Sequence, residues 1–192
     1  LDMSNDSFLS GDFAFNGDGG AISNQGNIHV TGDGSIVLIA SSIENSGVLR
    51  ADNGDILLAA GRSVSLSYAD LENVDFEVRA PENEVLNLGD IIASGGNVSL
   101  LAGRIANDGD IELVASPDGR IFLQATDSIT VSGNITAPTG DITVYGRQVE
   151  LKDAMLSTGS TVVGTQGGDI KLLGDNVGVF AGSRVDATGD NG

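Results

Sequence analysis

Ile22-Ser-Asn24-Gln-Gly26-Asn-Ile28, Ile43-Glu-Asn45-Ser-Gly47-Val-Leu49, Val85-Leu-Asn87-Leu-Gly89-Asp-Ile91 and Ile105-Ala-Asn107-Asp-Gly109-Asp-Ile111 spell one heptapeptide, apolar-x-Asn-x-Gly-x-apolar. A further copy, Ile129 to Ile135, keeps Gly133 but has Val131 in place of Asn, and another, Val179 to Val185, keeps only the apolar ends. The closing apolar positions Ile28, Leu49, Ile91, Ile111, Ile135, Leu156 and Val185 are separated by 21, 42, 20, 24, 21 and 29 residues. Taking 42 as two steps of 21 leaves a unit of about 20–24 residues through most of the chain, the mark of a repeat architecture.

Each heptapeptide is accompanied by a second phrase, a Gly followed by alternating apolar positions. It reads Gly34-SIVLIA, Gly54-DILLAA, Gly96-NVSLLA, Gly119-RIFLQA, Gly140-DITVYG and Gly168-DIKLLG. Period-2 alternation with β-branched residues predicts strands, and Gly, Asn and Asp at the joints predict tight turns. Ser63-Val64-Ser65-Leu66-Ser67 and Gln148-Val149-Glu150-Leu151-Lys152 supply a third strand in some units. The best helical pattern, Leu71/Val74/Val78, competes with the strand pattern Val74/Phe76/Val78. Short strands in a unit of this length predict a coil that climbs one strand spacing, about 4.8 Å, per turn. The fold expected is therefore all-β, a parallel β-helix solenoid with seven or eight turns and a length of roughly 35 Å. An antiparallel sandwich would need hairpins and would not give a translational repeat. Residues 1–21 read as an N-terminal partial turn or cap and 22–192 as the solenoid.

In such a coil Ile, Leu and Val stack on the same residue of the next turn, each burial contributing about 1.5–3 kcal/mol. Gly at the corners is expected to take positive φ and to let backbones approach closely. Asn24, Asn45, Asn87 and Asn107 tolerate left-handed geometry, and their amides can ladder where they stack. Asn73 and the doubled step intervene between Asn45 and Asn87, so this rung is the one the spacing supports least. The doubled step coincides with an acidic insert at 67–88, where Asp70, Glu72, Asp75, Glu77, Glu82 and Glu84 face a lone Arg79. The insert is either an irregular turn that fills the missing step, or partly an extra strand pair outside the coil. In the second case Phe76 would cover outward apolar side chains such as Leu57 and Val37.

Composition narrows the function. Of 192 residues 28 are Gly, about twice the usual share. Twenty-seven Asp and Glu against nine Lys and Arg give a formal charge of −18. With few aromatics, that charge opposes nucleic acid and anionic lipid as partners, and it disfavours side-by-side association, so a monomer is expected. No apolar run approaches a membrane span. The absence of Cys removes disulfides, thiolate nucleophiles and Cys-based metal sites. The chain begins at Leu1 and ends in Gly-Asp-Asn-Gly, and it reads as a piece of a longer protein.

Gly54-DILLAAGRSVSLS, an acidic insert ending FEVRAP, and LNLGDIIASGGNVSLLAG, in that order, resemble the filamentous-haemagglutinin-type exoproteins of Gram-negative two-partner secretion. Ile22 to about Ala115 is similar to their haemagglutination-activity region, and Gly119 to Gly192 to the repetitive rod behind it. The resemblance implies a right-handed parallel β-helix, export through an outer-membrane β-barrel partner, and a secreted or surface-held adhesin. The family's secretion segment carries Asn-Pro motifs, whereas Pro81, Pro117 and Pro138 follow Ala80, Ser116 and Ala137. The part that engages the transporter is therefore expected to be largely missing from these residues.

Parallel β-helices also host carbohydrate-active enzymes, which need two carboxylates across a groove. Asp55, Asp90, Asp110, Asp141 and Asp169 each follow Gly at a strand start, and that recurrence reads as solvated turn residues rather than a catalytic pair. Asp12, Asp18, Asp33, Asp175 and Asp190 follow Gly without the tandem nonapeptide of calcium-binding β-rolls, so no metal or cofactor is expected. His29, between Ile28 and Val30, points outward without partners for zinc. Arg104, Arg120 and Arg147 each follow Gly; they either line one face for an acidic glycan or pair with nearby Asp.

Two outward columns are expected. One holds Val37, Leu57, Ser99, Glu112, Phe122, Thr143 and Lys171; the other holds Ile39, Ala59, Leu101, Val114, Gln124, Tyr145 and Leu173. Phe122, Val114 and Tyr145 form a candidate patch for carbohydrate or protein, unless neighbouring segments cover them. The function expected is a non-enzymatic adhesive segment that contacts a glycan or protein on a host or neighbouring cell. A carbohydrate-active enzyme and an inert stalk are the alternatives.

Overall fold

The computed structural model describes residues 12–16, 19–67, 74–77, 83–114, 118–160 and 165–189, with side chains described for 19–63, 83–114, 118–160 and 165–189. Strand β1 (Asp12–Asn16) precedes the coil. The first coil holds β2 (Ala21–Asn24) and β3 (Asn27–Val30), and the second holds β4 (Ile36–Ala40), β5 (Ser42–Asn45) and β6 (Val48–Ala51). β7 (Ile56–Ala60) opens the third coil, and β8 (Ser63–Ser67) and β9 (Val74–Glu77) then leave it. β10 (Glu84–Asn87) and β11 (Asp90–Ser94) complete that coil. The fourth holds β12 (Val98–Asn107) and β13 (Ile111–Val114), and the fifth β14 (Arg120–Val131) and β15 (Asn134–Thr136). β16 (Asp141–Tyr145), β17 (Gln148–Leu151) and β18 (Met155–Ser157) form the sixth coil, and β19 (Ile170–Leu173), β20 (Asn176–Val179) and β21 (Arg184–Asp186) the seventh. No helix forms among the described residues.

All pairs within the coils are parallel, so the chain is a parallel β-helix. One sheet has seven strands, one from each coil, in the order β21-β18-β15-β13-β11-β6-β3. Its central column is the closing apolar residue of every repeat: Ile28 pairs with Leu49, Leu49 with Ile91, and so on through Ile111, Ile135, Leu156 and Val185. The six Gly-led phrases align in the same way on the larger sheet, with Ile36, Ile56, Val98, Ile121, Ile142 and Ile170 in one column. These inward residues are almost all fully buried between Ile36 and Leu156 and form one continuous core.

The 42-residue spacing is one rise of the coil, not two. Val85 pairs directly with Ile43 on one side and Ile105 on the other, and Ile91 sits beside Leu49. The surplus chain is extruded. β8 pairs antiparallel with β1 and with β9, making a separate three-stranded sheet in the order β1-β8-β9. Ser63–Ser67 is thus not a third strand of a coil, because β10 already fills the second position there. Of the stretch 67–88, residues 84–88 lie in the coil, and Val74–Glu77 is strand rather than helix. Residues 68–73 and 78–82, with Asp70, Glu72, Arg79 and Glu82, and the side chains of Asp75, Phe76 and Glu77 lie outside what is described. Asn83 returns the chain to the coil: its amide donates to the Ser41 carbonyl at 2.9 Å, and its own carbonyl accepts from the Arg104 N–H at 2.9 Å.

The Asn ladder is continuous through this step. Asn24 Nδ2 donates to Asn45 Oδ1 (2.7 Å), Asn45 Nδ2 to Asn87 Oδ1 (2.8 Å), and Asn87 Nδ2 to Asn107 Oδ1 (2.8 Å). None of the four has positive φ, so inward amide stacking, not left-handed geometry, is what selects Asn. The same column continues as Val131, Leu151 and Val179. The last repeat is therefore led by Val177, which pairs with Val149, and Val179 occupies its Asn position.

The Gly two residues on is selected by crowding rather than by φ. A Cβ on Gly47 would lie 2.0 Å from the Gly26 carbonyl oxygen, one on Gly89 2.0 Å from that of Gly47, and one on Gly133 2.0 Å from that of Gly109. Each Asn carbonyl accepts two N–H groups of the next coil at this corner, as when Asn45 O takes Leu88 N (2.7 Å) and Gly89 N (3.0 Å). Close passage of the two backbones is what those bonds require. Positive φ occurs at other turns, Gly32, Gly95 and Gly182, and at Thr139 and Asp153.

Candidate binding surface

Strand alternation sends two columns out of the larger sheet. Pairing gives the first as Val37, Leu57, Ser99, Phe122, Thr143 and Lys171, and the second as Ile39, Ala59, Leu101, Gln124, Tyr145 and Leu173. Glu112 and Val114 do not belong to them. Both are on β13, where Glu112 pairs with Ile92 and Thr136 in the seven-stranded sheet. The sequence of β13 follows the same Gly-Asp-apolar opening as the phrases, which is why the two patterns merge on reading. The patch of Phe122, Val114 and Tyr145 is accordingly divided between two sheets.

Leu57 faces away from the coil yet is only 1 % exposed, and with Ala59 and Leu101 it forms a second buried cluster against which Ile39 and Phe122 pack. Chain outside the coil must cover this cluster. Val37, at the cluster's margin, is 38 % exposed. Beyond it the same face is open: Tyr145 is 48 % exposed and Leu173 is exposed beside it.

At that open end a hollow of about 510 Å³ is lined by Gln124, Thr126, Tyr145, Arg147 and Asp175 together with Ala125, Gly146 and Gly174. Arg147 Nε approaches Asp175 Oδ2 to 4.0 Å, both side chains being well exposed. The three arginines do not share a face. Arg104 stands in the column of Ser128 and Gln148, next to Arg147, whereas Arg120 pairs with Asp141 at the opposite end of the preceding strand.

Three of the Asp residues that follow Gly have structural work beyond solvation. Asp55 Oδ1 accepts the N–H of Asn97 (2.7 Å), Asp110 Oδ1 that of Asn134 (3.1 Å), and Asp141 Oδ1 that of Asp169 (2.8 Å). Each receives a backbone donor from the next coil, as Asn97 Oδ1 does from Arg120 N (2.9 Å). Asp169 instead meets Lys171 at 3.1 Å. Asp33 accepts from the Asn53 amide at 3.5 Å. Asp18, Asp190 and the Asp12 side chain lie outside the described set. Among the described residues no three His, Asp or Glu side chains are grouped as a metal ion would require. His29 lies on the exposed face of β3, its Nε2 3.0 Å from Asp52 Oδ1. Hydrogen bonds from His29 and then Arg50 hold the Asp52 carboxyl below its ordinary value.

No family model matches the sequence. No curated protein matches it either. Among solved structures the fold is similar to the crystal structure of the HMW1 secretion domain from Haemophilus influenzae, with a TM-score of 0.88 and 29% sequence identity. The likeness covers 98% of this chain and 57% of that one, so the chain spans little more than half the length of its neighbour. At that coverage nearly all of residues 119–192, which read as rod from sequence, fall within the same match.

Proposed function

We propose that the chain is part of the secretion domain of a two-partner-secretion exoprotein, carried across the outer membrane by a β-barrel partner and displayed outside the cell as an adhesin segment. The observation that carries this reading is the likeness to the HMW1 secretion domain over 98% of the chain at 29% identity. The haemagglutinin-like order of phrase, acidic insert and phrase supports it from the sequence side. A chain that crosses a membrane unfolded and folds outside gains from a solenoid, because each coil can stack on the one before it as it emerges. The acid charge of −18 favours dispersion of such a rod once it is outside.

A non-enzymatic role fits the use made of the carboxylates, since Asp55, Asp110 and Asp141 are engaged in bracketing adjacent coils. The test is export. The chain replaces the matching stretch of the HMW1 secretion domain, so that the rest of that domain stays present, and appearance of the hybrid in the medium or on the surface is measured with and without that domain's β-barrel transporter. Transporter-dependent release is expected. Retention in the periplasm with the transporter present would refute the secretion reading.

A further inference from the structure

We propose that the hollow beside Tyr145 is a binding site for a neutral saccharide, an inference that builds on the reading of the chain as displayed outside the cell. The hollow lies at the corner where β14, β16 and β19 turn towards the second strand of their coils. Successive backbones pass close at this corner, where a Cβ on Gly174 would lie 2.3 Å from the Gly146 carbonyl oxygen. The space outside them, about 510 Å³, is of the size that takes a sugar unit or two.

Tyr145 stands at its edge, exposed but held in β16 between Gln124 and Leu173. An aromatic ring fixed on a strand offers a flat apolar face to the C–H face of a pyranose at little ordering cost. Arg147 and Asp175, 4.0 Å apart, present donors and acceptors side by side, which suits a pair of adjacent hydroxyls, and Gln124 offers one of each. Charge selects among sugars. Arg147 already faces Asp175 and the chain carries −18, so an anionic glycan is repelled while a neutral hexose or N-acetylhexosamine is not. Asp175 also lines an adjoining depression of about 430 Å³ with Gln148, Glu150 and Phe180, which gives room for a further unit.

The test applies the full chain to arrays of neutral, sialylated and sulfated glycans, together with Tyr145→Ala and Arg147→Ala. Solution titrations with the best neutral oligosaccharide follow tyrosine emission, since the protein has no Trp and only two Tyr. Expected are selective retention of neutral glycans, an emission change on titration, and at least an about tenfold weaker binding in each variant with circular dichroism unchanged. Absence of neutral-glycan binding, preference for the anionic arrays, or binding indifferent to both substitutions would overturn the proposal. Export of the hybrid secretion domain, scored separately, reports on the secretion reading alone.

Discussion

Removing one amide from the middle of the Asn ladder should cost more than removing the whole ladder. Asn87 is fully buried and engaged on both sides, accepting from Asn45 and donating to Asn107, each at 2.8 Å. Asn87→Ala strands Asn107 Oδ1 without its donor and leaves Asn45 Nδ2 only the long 3.4 Å approach to the Gly47 carbonyl. One stranded buried acceptor costs about 1–3 kcal/mol and the lost bonds about 1 kcal/mol, so a destabilisation of about 2–4 kcal/mol is expected. Replacing Asn24, Asn45, Asn87 and Asn107 together by Val removes every amide-to-amide partner at once and gives up only the local contacts to Gly backbone, such as Gly26 N–H at 3.2 Å and the Gly109 carbonyl at 2.8 Å. The column already accepts apolar residues, since Val131 and Leu151 are fully buried in it. The quadruple variant should therefore lose less than Asn87→Ala alone. Urea unfolding gives the global number. Amide exchange at Ser46, Gly47, Leu88 and Gly89, whose N–H groups bond to Asn carbonyls of the ladder, reads the local one, which matters because a solenoid need not unfold all at once. A single variant within about 1 kcal/mol of wild type, or a quadruple variant worse than the single, would refute the account.

Four other outcomes follow from the same geometry. Gly89→Ala places a Cβ 2.0 Å from the Gly47 carbonyl oxygen and should separate two coils, costing more than about 3 kcal/mol and releasing exchange on both sides of the corner. Gly26→Ala, where the nearest atom is 4.0 Å away, should be mild in the same assay. Leu57→Ala should cost about 2–4 kcal/mol although the Leu57 side chain faces away from the coil interior, and thermal unfolding that matched an exposed Leu instead would show that nothing covers it. The Asp186 carboxyl is held below its ordinary value of 3.8 by the Thr188 hydroxyl and N–H and by Arg184. A depressed carboxyl stabilises the fold above its unfolded value and loses that effect as pH falls through the folded one. The protection factor of the Thr158 N–H, bonded to the Asp186 carbonyl, should therefore fall below about pH 4 in wild type and show no such step in Asp186→Asn.

The coil was legible because its two signals are periodic and mutually spaced. The closing column from Ile28 to Val185 and the phrase column from Ile36 to Ile170 align in the fold residue for residue. Two things were not legible. A 42-residue interval has the same arithmetic whether it holds two coils or one coil with an excursion, and only the pairing of Val85 with Ile43 decides. The outward columns were harder still, because Glu112 and Val114 follow the same local pattern as Phe122 and Gln124 while sitting on another sheet. The Tyr145 hollow was half visible: the residue stood out as an outward aromatic, but Gln124, Arg147 and Asp175 come together beside it only when three coils are stacked.

The excursion also explains why the ladder is where it is. A coil that must close over 36 residues, from Gly54 to Gly89, instead of the usual few strands needs something to fix where the chain re-enters, since apolar side chains alone would accept a slip along the sheet. Directional amide bonds do not accept it. Asn45, Asn87 and Asn107 join the second, third and fourth coils, the ones on either side of the re-entry at Asn83, and the ladder gives way to Val131 once the coils run uninterrupted. A buried polar network that costs desolvation and sets register belongs at the step where register is most at risk. Moving it away, by converting the ladder to Val and restoring Asn at positions 131 and 151, should leave total stability close to that of the all-Val column while letting the strand after the excursion pair in more than one register. Heterogeneous exchange confined to residues 84–94 would report that slip, and uniform exchange there would show that packing alone sets the re-entry.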